Sequence, residues 1–245
     1  MTHHRPDEMS GGLAAVLAHP DDESFGCAGA LALAHDAGRV ARLLLVTRGE
    51  AGSSDADIDP AAFADTREEE LRCAASRIGF DEVTVLEGYA DGGVADRPFN
   101  ELVDEIAIWL ADRRPDAVIT FGPHGITGHP DHVVVGSATR WAVERLAEQG
   151  IAPHAVYVMA PIFGPGSKRY DLSPEEGAAT HRIDITSVAE RKVAALACHA
   201  SQPDAQDESR EVQALLERQG VLYEGYTRVR PTVPVPHPVF DERLV

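Results

Sequence analysis

The chain has 245 residues, of which 44% are hydrophobic and 25% are charged, and its formal net charge at pH 7 is -18. This composition is typical of a globular protein with a buried core, while the acidic balance disfavours nucleic acids and anionic membrane surfaces as partners. No run approaches the roughly 20 apolar residues of a membrane span, and the polar start MTHHRPDEMSGG lacks a signal-peptide segment, so we expect a cytoplasmic protein.

Short apolar runs alternate with longer segments of helical period along the chain. Strands are predicted at residues 13–18, 42–47, 82–86, 117–121, 155–159 and 182–185. Helices are predicted at residues 24–37, 64–78, 100–112, 132–148 and 187–199. This alternation predicts an α/β fold, with a mostly parallel sheet covered by helices on both faces. We expect one domain over residues 1–245, with a flexible N-terminus (1–12) and a proline-rich, extended tail (229–245).

The three cysteines give no framework for cross-linking. Cys27, Cys73 and Cys198 are far apart and odd in number, so they fit neither a disulfide scaffold nor a Cys-x-x-Cys metal site. We therefore expect buried free thiols in a reducing compartment.

The loop after the first predicted strand, HPDDES, concentrates polar groups at the end of a buried strand. It holds His19, Asp21, Asp22 and Glu23, and three adjacent carboxylates repel one another unless a positive charge lies among them. In parallel sheets, ligands bind beyond the carboxyl ends of the strands. A metal ion is therefore one explanation, and an acidic turn before a helix, favoured by the helix dipole, is the other.

The loop after the fourth predicted strand, GPHGITGHPDH, favours the metal. It carries His124, His129, Asp131 and His132 within nine residues. Two histidines and one carboxylate drawn from two such loops would form a three-ligand site with an open position, as in catalytic zinc sites. The same donor set occurs in non-haem iron oxygenases, an alternative that would leave the first loop unexplained. A dinucleotide-binding module is also disfavoured, because Gly26 and Gly29 lack the full glycine pattern and follow acidic residues.

The two loop motifs, AHPDDE and GHPDH, resemble the paired motifs of the LmbE/PIG-L family of zinc-dependent N-acetylglucosaminyl deacetylases. The segments TRGEAG, TREEELRCAASRIGF, YADGG and KVAALACHASQ resemble further family features in the same order, so the resemblance covers residues 13–202. It implies a Rossmann-like α/β fold and a hydrolase that removes an N-acyl group, foremost acetyl, from an amino-sugar conjugate. An amidase acting on a non-sugar amide stays open as an alternative.

The resemblance also implies roles for individual residues in the two loops. His19, Asp22 and His132 would bind Zn²⁺, although the same donors would also hold Fe²⁺, Co²⁺ or Mn²⁺. Asp21 would be the general base, and His129 would stabilise the oxyanion or act as general acid. Either His129 or Asp21 could return a proton to the leaving amine.

Further residues are implied around this centre. Asp131 could orient the His129 ring as its carboxylate partner. Arg67 and Asp91 match positions that contact the sugar, although Arg67 could instead pair with Glu70 on its own helix, and aspartate is common in Asp-Gly turns such as that at Asp91.

One position departs from the family pattern, and two segments have no assigned role. Some relatives carry a tyrosine where this chain has Thr127, which is too short to assist the oxyanion in the same way. The long loop after the second strand and the C-terminal tail would serve either substrate selection or a homo-oligomer contact.

Overall fold

In a computed structural model of the protein, residues 11–52, 58–162 and 170–230 are described. The strands within these ranges are β1 (Leu13–Leu17), β2 (Ala41–Leu45), β3 (Glu82–Val85), β4 (Ala117–Thr120), β5 (Ala155–Met159), β6 (His181–Asp184) and β7 (Tyr223–Arg230). The α-helices are α1 (Asp22–Gly26), α2 (Ala28–Asp36), α3 (Pro60–Ile78), α4 (Phe99–Arg113), α5 (Gly125–Gly128), α6 (Pro130–Glu148), α7 (Pro174–Gly177), α8 (Ala189–Cys198) and α9 (Pro203–Gln219). Within the same ranges, none of the helices combines the length and apolarity needed to cross a membrane.

The strands form one mixed sheet in the order β3-β2-β1-β4-β5-β7-β6. The first five strands in this order run parallel, and β7 is antiparallel to both of its neighbours. Every residue of β1, β2, β4 and β5 is buried, as expected for strands that are covered on both faces. The predicted α/β fold is therefore confirmed, and the six predicted strands lie within two residues of their observed bounds.

The first predicted helix is in fact two helices that meet at Cys27. The backbone leaves helical geometry there, with φ at -149°, and α2 starts at the next residue. The carboxylate of Glu224, on β7, accepts the N–H groups of Gly29 and Ala30 at 3.0 and 2.9 Å and so satisfies the start of α2. A Cβ on Gly29 would lie 2.6 Å from the side chain of Ile185, so this glycine allows close packing.

The C-terminal part of the fold was missing from the sequence prediction. Helix α9 fully buries only Ala205, Ser209 and Val212, and most of its other residues are polar or charged, so it contains few apolar residues that could indicate a helix. Strand β7 shows that the expected tail begins later than predicted, because residues 229 and 230 belong to the strand, where Arg230 pairs with Val156. The remaining tail and residues 1–10 of the expected flexible N-terminus lie outside the described residues.

The prediction of three free thiols is wrong for two of them. Cys73 on α3 and Cys198 at the end of α8 form a disulfide with a Cα–Cα distance of 5.7 Å, although they are 125 residues apart in sequence. The packing of α3 against α8 brings them together, and sequence spacing carries no signal of such a contact. Cys27 is a free, buried thiol as expected.

Candidate metal centre

The first motif loop leaves the carboxyl end of β1 through an unusual turn. Asp21 has φ 119° and ψ -31°, a conformation that residues with a Cβ rarely adopt. The next residue, Asp22, folds back so that its Oδ2 accepts the N–H groups of Ala18 and His19 at 3.2 and 2.7 Å. Its other oxygen, Oδ1, faces His132. The turn therefore separates two adjacent carboxylates, leaving Asp22 in the centre and Asp21 beside it.

The second motif loop connects β4 to α6 and is held from outside by a buried carboxylate. Glu176 accepts the N–H groups of His124 and Ile126 at 3.3 and 2.9 Å. Gly125 has φ 61°, and a Cβ on it would lie 2.6 Å from the Cβ of His132. His129 is the N-cap of α6, and its Nδ1 accepts the N–H of Asp131 at 3.2 Å. Helix α6 thus begins at the site and places His132 in its first turn.

Side chains from the two loops converge on one point. His19 Nδ1 lies 3.2 Å from His132 Nε2, which lies 3.3 Å from Asp22 Oδ1. His19 Nδ1 lies 3.6 Å from Asp22 Oδ2. A tetrahedral zinc ion with bonds of about 2.0–2.1 Å to nitrogen and oxygen sets its ligand atoms about 3.3 Å apart. The two distances that meet at His132 Nε2 match this spacing, and the third, at 3.6 Å, joins His19 to the second oxygen of Asp22.

The outer nitrogens of the two histidines have partners that orient both rings. His132 Nδ1 lies 3.0 Å from the carbonyl oxygen of Gly125, so Nδ1 carries the proton and Nε2 keeps a free lone pair. His19 Nε2 lies 2.9 Å from Asp91 Oδ1 and 3.2 Å from Asp131 Oδ2. Hydrogen bonds of this kind fix the tautomer of a metal-binding histidine and raise its basicity.

Two sets of three side chains place one donor atom each within 4.8 Å of one another: His19 with His129 and His132, and His19 with Asp91 and Asp131. In the second set, backbone groups already occupy the carboxylates. Asp131 accepts the N–H groups of Gly92 and Val94 at 2.7 and 3.2 Å, and Asp91 accepts that of Ala51 at 3.0 Å. The donor atoms near His19 Nδ1, namely His132 Nε2 and Asp22 Oδ1, are therefore better placed for a cation than the carboxylates near His19 Nε2.

The electrostatics of the cluster favour a positive charge at its centre. Burial disfavours the charged ring of His19, but hydrogen bonds to Asp131, Asp22 and Asp91 outweigh it and raise the pKa of His19 well above its ordinary value. Burial is likewise outweighed at His132, where Asp22 raises the pKa. At Asp22 burial raises the pKa of the carboxyl, but the two neighbouring histidines outweigh burial and hold this pKa well below the usual range. Carboxylates that stabilise protonated histidines in this way would equally stabilise a metal ion.

Asp21 has a different environment from Asp22. Burial raises the pKa of Asp21 to about 7, against the opposing effect of the Arg67 guanidinium. Arg67 Nη2 donates to Asp21 Oδ2 at 3.0 Å and to the carbonyl oxygen of Pro20, and the residue is 2% exposed. A carboxyl whose pKa lies near neutrality is suited to general base catalysis.

The structure revises the surroundings of Arg67. The alternative pairing with Glu70 is wrong, because the Glu70 carboxylate accepts hydrogen bonds from the N–H and hydroxyl of Ser201 at 2.6 and 2.7 Å. Arg67 instead contacts Asp21 and the carbonyl oxygen of Gly49. Arg67 thus binds the carboxylate of Asp21, the expected general base.

Asp131 also differs from the expectation. Its carboxylate accepts hydrogen bonds from the loop after β3 and contacts His19, so it does not act as the carboxylate partner of His129. The His129 ring instead stands 4.7 Å from the His19 ring, centre to centre. Burial and the neighbouring rings of His19 and His132 lower the pKa of His129, which favours its neutral form. Because its Nδ1 is an acceptor, neutral His129 carries its proton on Nε2 and can donate it.

Thr127 stabilises the second loop. Its Oγ1 accepts the N–H of His129 at 3.3 Å and lies 3.5 Å from His132 Nδ1. The Thr127 hydroxyl, at the position where some relatives have a tyrosine, therefore contacts residues of its own loop and of the first turn of α6. His124 is exposed, and its Nδ1 lies 2.9 Å from the carbonyl oxygen of Asp171, outside the cluster.

Sequence reasoning missed two buried groups beside the centre, Glu23 and His199. Glu23 Oε1 lies 2.8 Å from His199 Nε2, and both residues are 0% exposed. The segment KVAALACHASQ contains His199, but no local spacing connects it to a loop 176 residues earlier.

Comparisons with known proteins give one family match and several relatives. A family described as PIG-L, GlcNAc-PI de-N-acetylase, matches residues 14–143. A 1D-myo-inositol 2-acetamido-2-deoxy-alpha-D-glucopyranoside deacetylase of Mycobacteroides abscessus is 33% identical over 231 residues, covering 80% of this chain and 83% of the relative.

Two solved structures share the fold at lower identity. The N,N'-diacetylchitobiose deacetylase of Pyrococcus horikoshii has a TM-score of 0.66 at 21% identity and covers 89% of this chain and 84% of its own. GalB, the 4-carboxy-2-hydroxymuconate hydratase of Pseudomonas putida KT2440, has a TM-score of 0.69 at 24% identity, over 94% of this chain and 100% of its own. Since one is a deacetylase and the other a hydratase, the fold alone leaves the reaction open.

Proposed function

The chain belongs to the PIG-L family of GlcNAc-PI de-N-acetylases, and from that premise we propose that it is a zinc-dependent deacetylase. The reaction is the hydrolysis of an N-acyl group, foremost acetyl, from an amino-sugar conjugate such as an N-acetylglucosaminyl compound. The proposed partner is thus a small molecule, and the proposed compartment is the cytoplasm. The observation that carries the proposal is the convergence of His19, His132 and Asp22 within 3.6 Å of one another, with Asp21 adjacent.

His19 Nδ1, His132 Nε2 and Asp22 Oδ1 would hold the cation. When bound there, a divalent metal would lower the pKa of a coordinated water and polarise the amide carbonyl. Three protein ligands would leave a fourth coordination position open, as in catalytic zinc sites. Fe²⁺, Co²⁺ or Mn²⁺ would satisfy the same donors.

Asp21 takes the proton of the attacking water as general base. It lies next to a ligand in sequence, but its carboxylate is bonded to Arg67 and does not enter the ligand set. The guanidinium keeps the carboxylate ordered, while burial keeps its affinity for a proton high. These two influences together give a base that works near neutral pH.

His129 donates a hydrogen bond from Nε2–H to the oxyanion of the tetrahedral intermediate. The neutral tautomer assigned above supplies this donor, and a donor placed where negative charge develops lowers the barrier. The C–N bond then breaks, and the amine leaves with a proton from either His129 or Asp21. The products are a carboxylate and a free amino sugar.

The experiment that tests this function is amine release from a panel of N-acetylglucosaminyl conjugates and non-sugar N-acetyl amides. The protein is stripped of metal and assayed with and without added Zn²⁺, Fe²⁺, Co²⁺ or Mn²⁺. Metal-dependent release of amine and acetate in equal amounts from a sugar conjugate is expected. Release from the non-sugar amides alone would make the protein a general amidase, and oxygen uptake with 2-oxoglutarate and iron would favour the oxygenase. Metal-loaded protein that releases no amine would contradict the proposal.

A further inference from the structure

Glu23 and His199 form a buried pair directly behind the first motif loop. Glu23 Oε1 lies 2.8 Å from His199 Nε2, and the Ser24 hydroxyl donates to the same oxygen at 2.7 Å. Both members of the pair are 0% exposed. Burying an acid–base pair costs desolvation energy that the interaction alone often fails to return, so a specific role is the more economical explanation.

The contact made by the second carboxylate oxygen of Glu23 indicates what this role is. Glu23 Oε2 accepts the backbone N–H of Asp21 at 3.0 Å. On the other side, the carbonyl oxygen of Asp21 accepts the N–H groups of Ser24 and Phe25 at 2.8 and 3.0 Å. The backbone of Asp21 is therefore held at both of its peptide groups.

This restraint acts on a residue that would otherwise relax. The φ of 119° at Asp21 lies in the region that favours glycine, and such a conformation costs about 1–3 kcal/mol unless the surroundings impose it. Relaxation to negative φ would rotate the Asp21 side chain away from Arg67 Nη2, its partner at 3.0 Å.

We propose that Glu23 and His199 are a positioning pair for the general base: His199 fixes the Glu23 carboxylate, and that carboxylate holds Asp21 in its left-handed conformation. The inference rests on the proposed deacetylase function and adds two residues that act through Asp21 without touching the substrate. It also explains why the third consecutive acid of HPDDE is present, since Glu23 has no place among the metal donors.

The fold contains a matched control pair. Lys192 Nζ lies 2.8 Å from Glu224 Oε1, and both side chains are similarly buried. Glu224 bonds the backbone of α2, and Lys192 bonds the carbonyl oxygens of Ser24 and Phe25. A variant that opens this pair disturbs a buried ion pair of the same kind near the site, while the hydrogen bond from Asp21 to Glu23 stays intact.

The test compares Glu23→Ala and Glu23→Gln with Glu224→Ala as the control, each measured for kcat, KM and bound metal per chain. We expect Glu23→Ala to lower kcat about 100-fold, the scale on which a small misplacement of a catalytic group acts, with KM and metal content close to the wild-type values. Glu23→Gln keeps an oxygen that can accept the Asp21 N–H, so it should recover most of this loss. Glu224→Ala should leave kcat per folded molecule unchanged.

A double-mutant cycle separates positioning from a general structural effect. In the Asp21→Asn background, Glu23→Ala should cause no further loss, because both changes disable the same group. Losses that multiply would overturn the inference. If Glu23→Ala does not fold, His199→Gln takes its place in the cycle with the same expectation.

Crystal structures of the variants would test this inference separately from the proposed function. In Glu23→Ala, or in His199→Gln, Asp21 should move to negative φ while the loop after β4 stays in place. An unchanged φ at Asp21 would overturn the positioning role even in an active deacetylase. A wild-type protein that releases no amine would contradict the proposed function, and the φ of Asp21 in the variants would still test the pair.

Discussion

At the scale of single residues, His19 is the junction of the site, because its two ring nitrogens face different groups. Nδ1 faces His132 and Asp22, while Nε2 faces Asp91 and Asp131. A carboxylate at Nε2 fixes the proton there and leaves the Nδ1 lone pair for a cation. One histidine thereby connects the proposed metal donors to the loop after β3.

Two substitutions distinguish the proposed metal-binding role of one residue from the proposed general-base role of another. Asp21→Asn should reduce kcat by about 100-fold to 10,000-fold, the usual contribution of general acid–base catalysis, and should retain the bound metal. His132→Ala should lose both turnover and metal, because it removes one of three donors. Metal content by atomic absorption and initial rates on the same samples measure both effects. Near-normal turnover in Asp21→Asn would contradict the assignment of the base.

At the scale of elements, the N-terminal end of helix α6 carries the site residues of the second loop. Its N-cap is His129 and its first turn holds His132, so a small shift of the helix moves both side chains together. The helix approaches β4 closely at Gly136, where a Cβ would lie 2.6 Å from the carbonyl oxygen of Phe121. The Phe121 ring in turn stacks on the His132 ring at 4.0 Å.

Gly136→Ala should therefore affect both stability and the site. The added methyl group meets backbone, which cannot move aside easily, so the helix must shift at a cost of about 1–3 kcal/mol in the free energy of unfolding. We expect weaker metal binding together with a lower midpoint of urea unfolding. Ser137→Ala, on the next position of the same helix, is the control and should change neither. Wild-type metal affinity in Gly136→Ala would show that the site tolerates movement of α6.

At the scale of the whole molecule, one disulfide joins two elements that flank Asp21, the proposed general base. The disulfide Cys73–Cys198 connects α3, which carries Arg67, to the end of α8, next to His199. Arg67 bonds the Asp21 carboxylate, and His199 bonds the carboxylate that holds the Asp21 backbone. The link thus ties together the two elements that support Asp21 from different sides.

Thiol titration tests this link directly. Cys27 is buried, and burial raises the pKa of its thiol well above the ordinary value, so the native protein should show no rapidly reacting thiol. Unfolding without reductant should expose one thiol per chain, and unfolding after reduction should expose three. Three thiols without reductant would contradict the disulfide.

The sequence by itself determined the parts that depend on local pattern. Short runs rich in apolar residues predicted six strands of the sheet within two residues, because hydrophobic periodicity reflects which faces are covered. The same patterns placed HPDDES and GHPDH after strands, and therefore at the edge of a parallel sheet where ligands bind. The family resemblance then implied different roles for residues that no local rule distinguishes, such as Asp21 and Asp22.

Only the tertiary structure decided which distant groups meet. The placement of β4 beside β1 brings His132 within 3.2 Å of His19, although 113 residues separate them. The packing of α8 brings His199 to Glu23 and Cys198 to Cys73. These contacts depend on how helices and strands pack across the whole chain, and neither the spacing of residues nor their local periodicity records that packing. For this reason the sequence predicted the proposed metal donors and the proposed base, whereas the contacts of Glu23 and His199 that support the base emerged only from the fold.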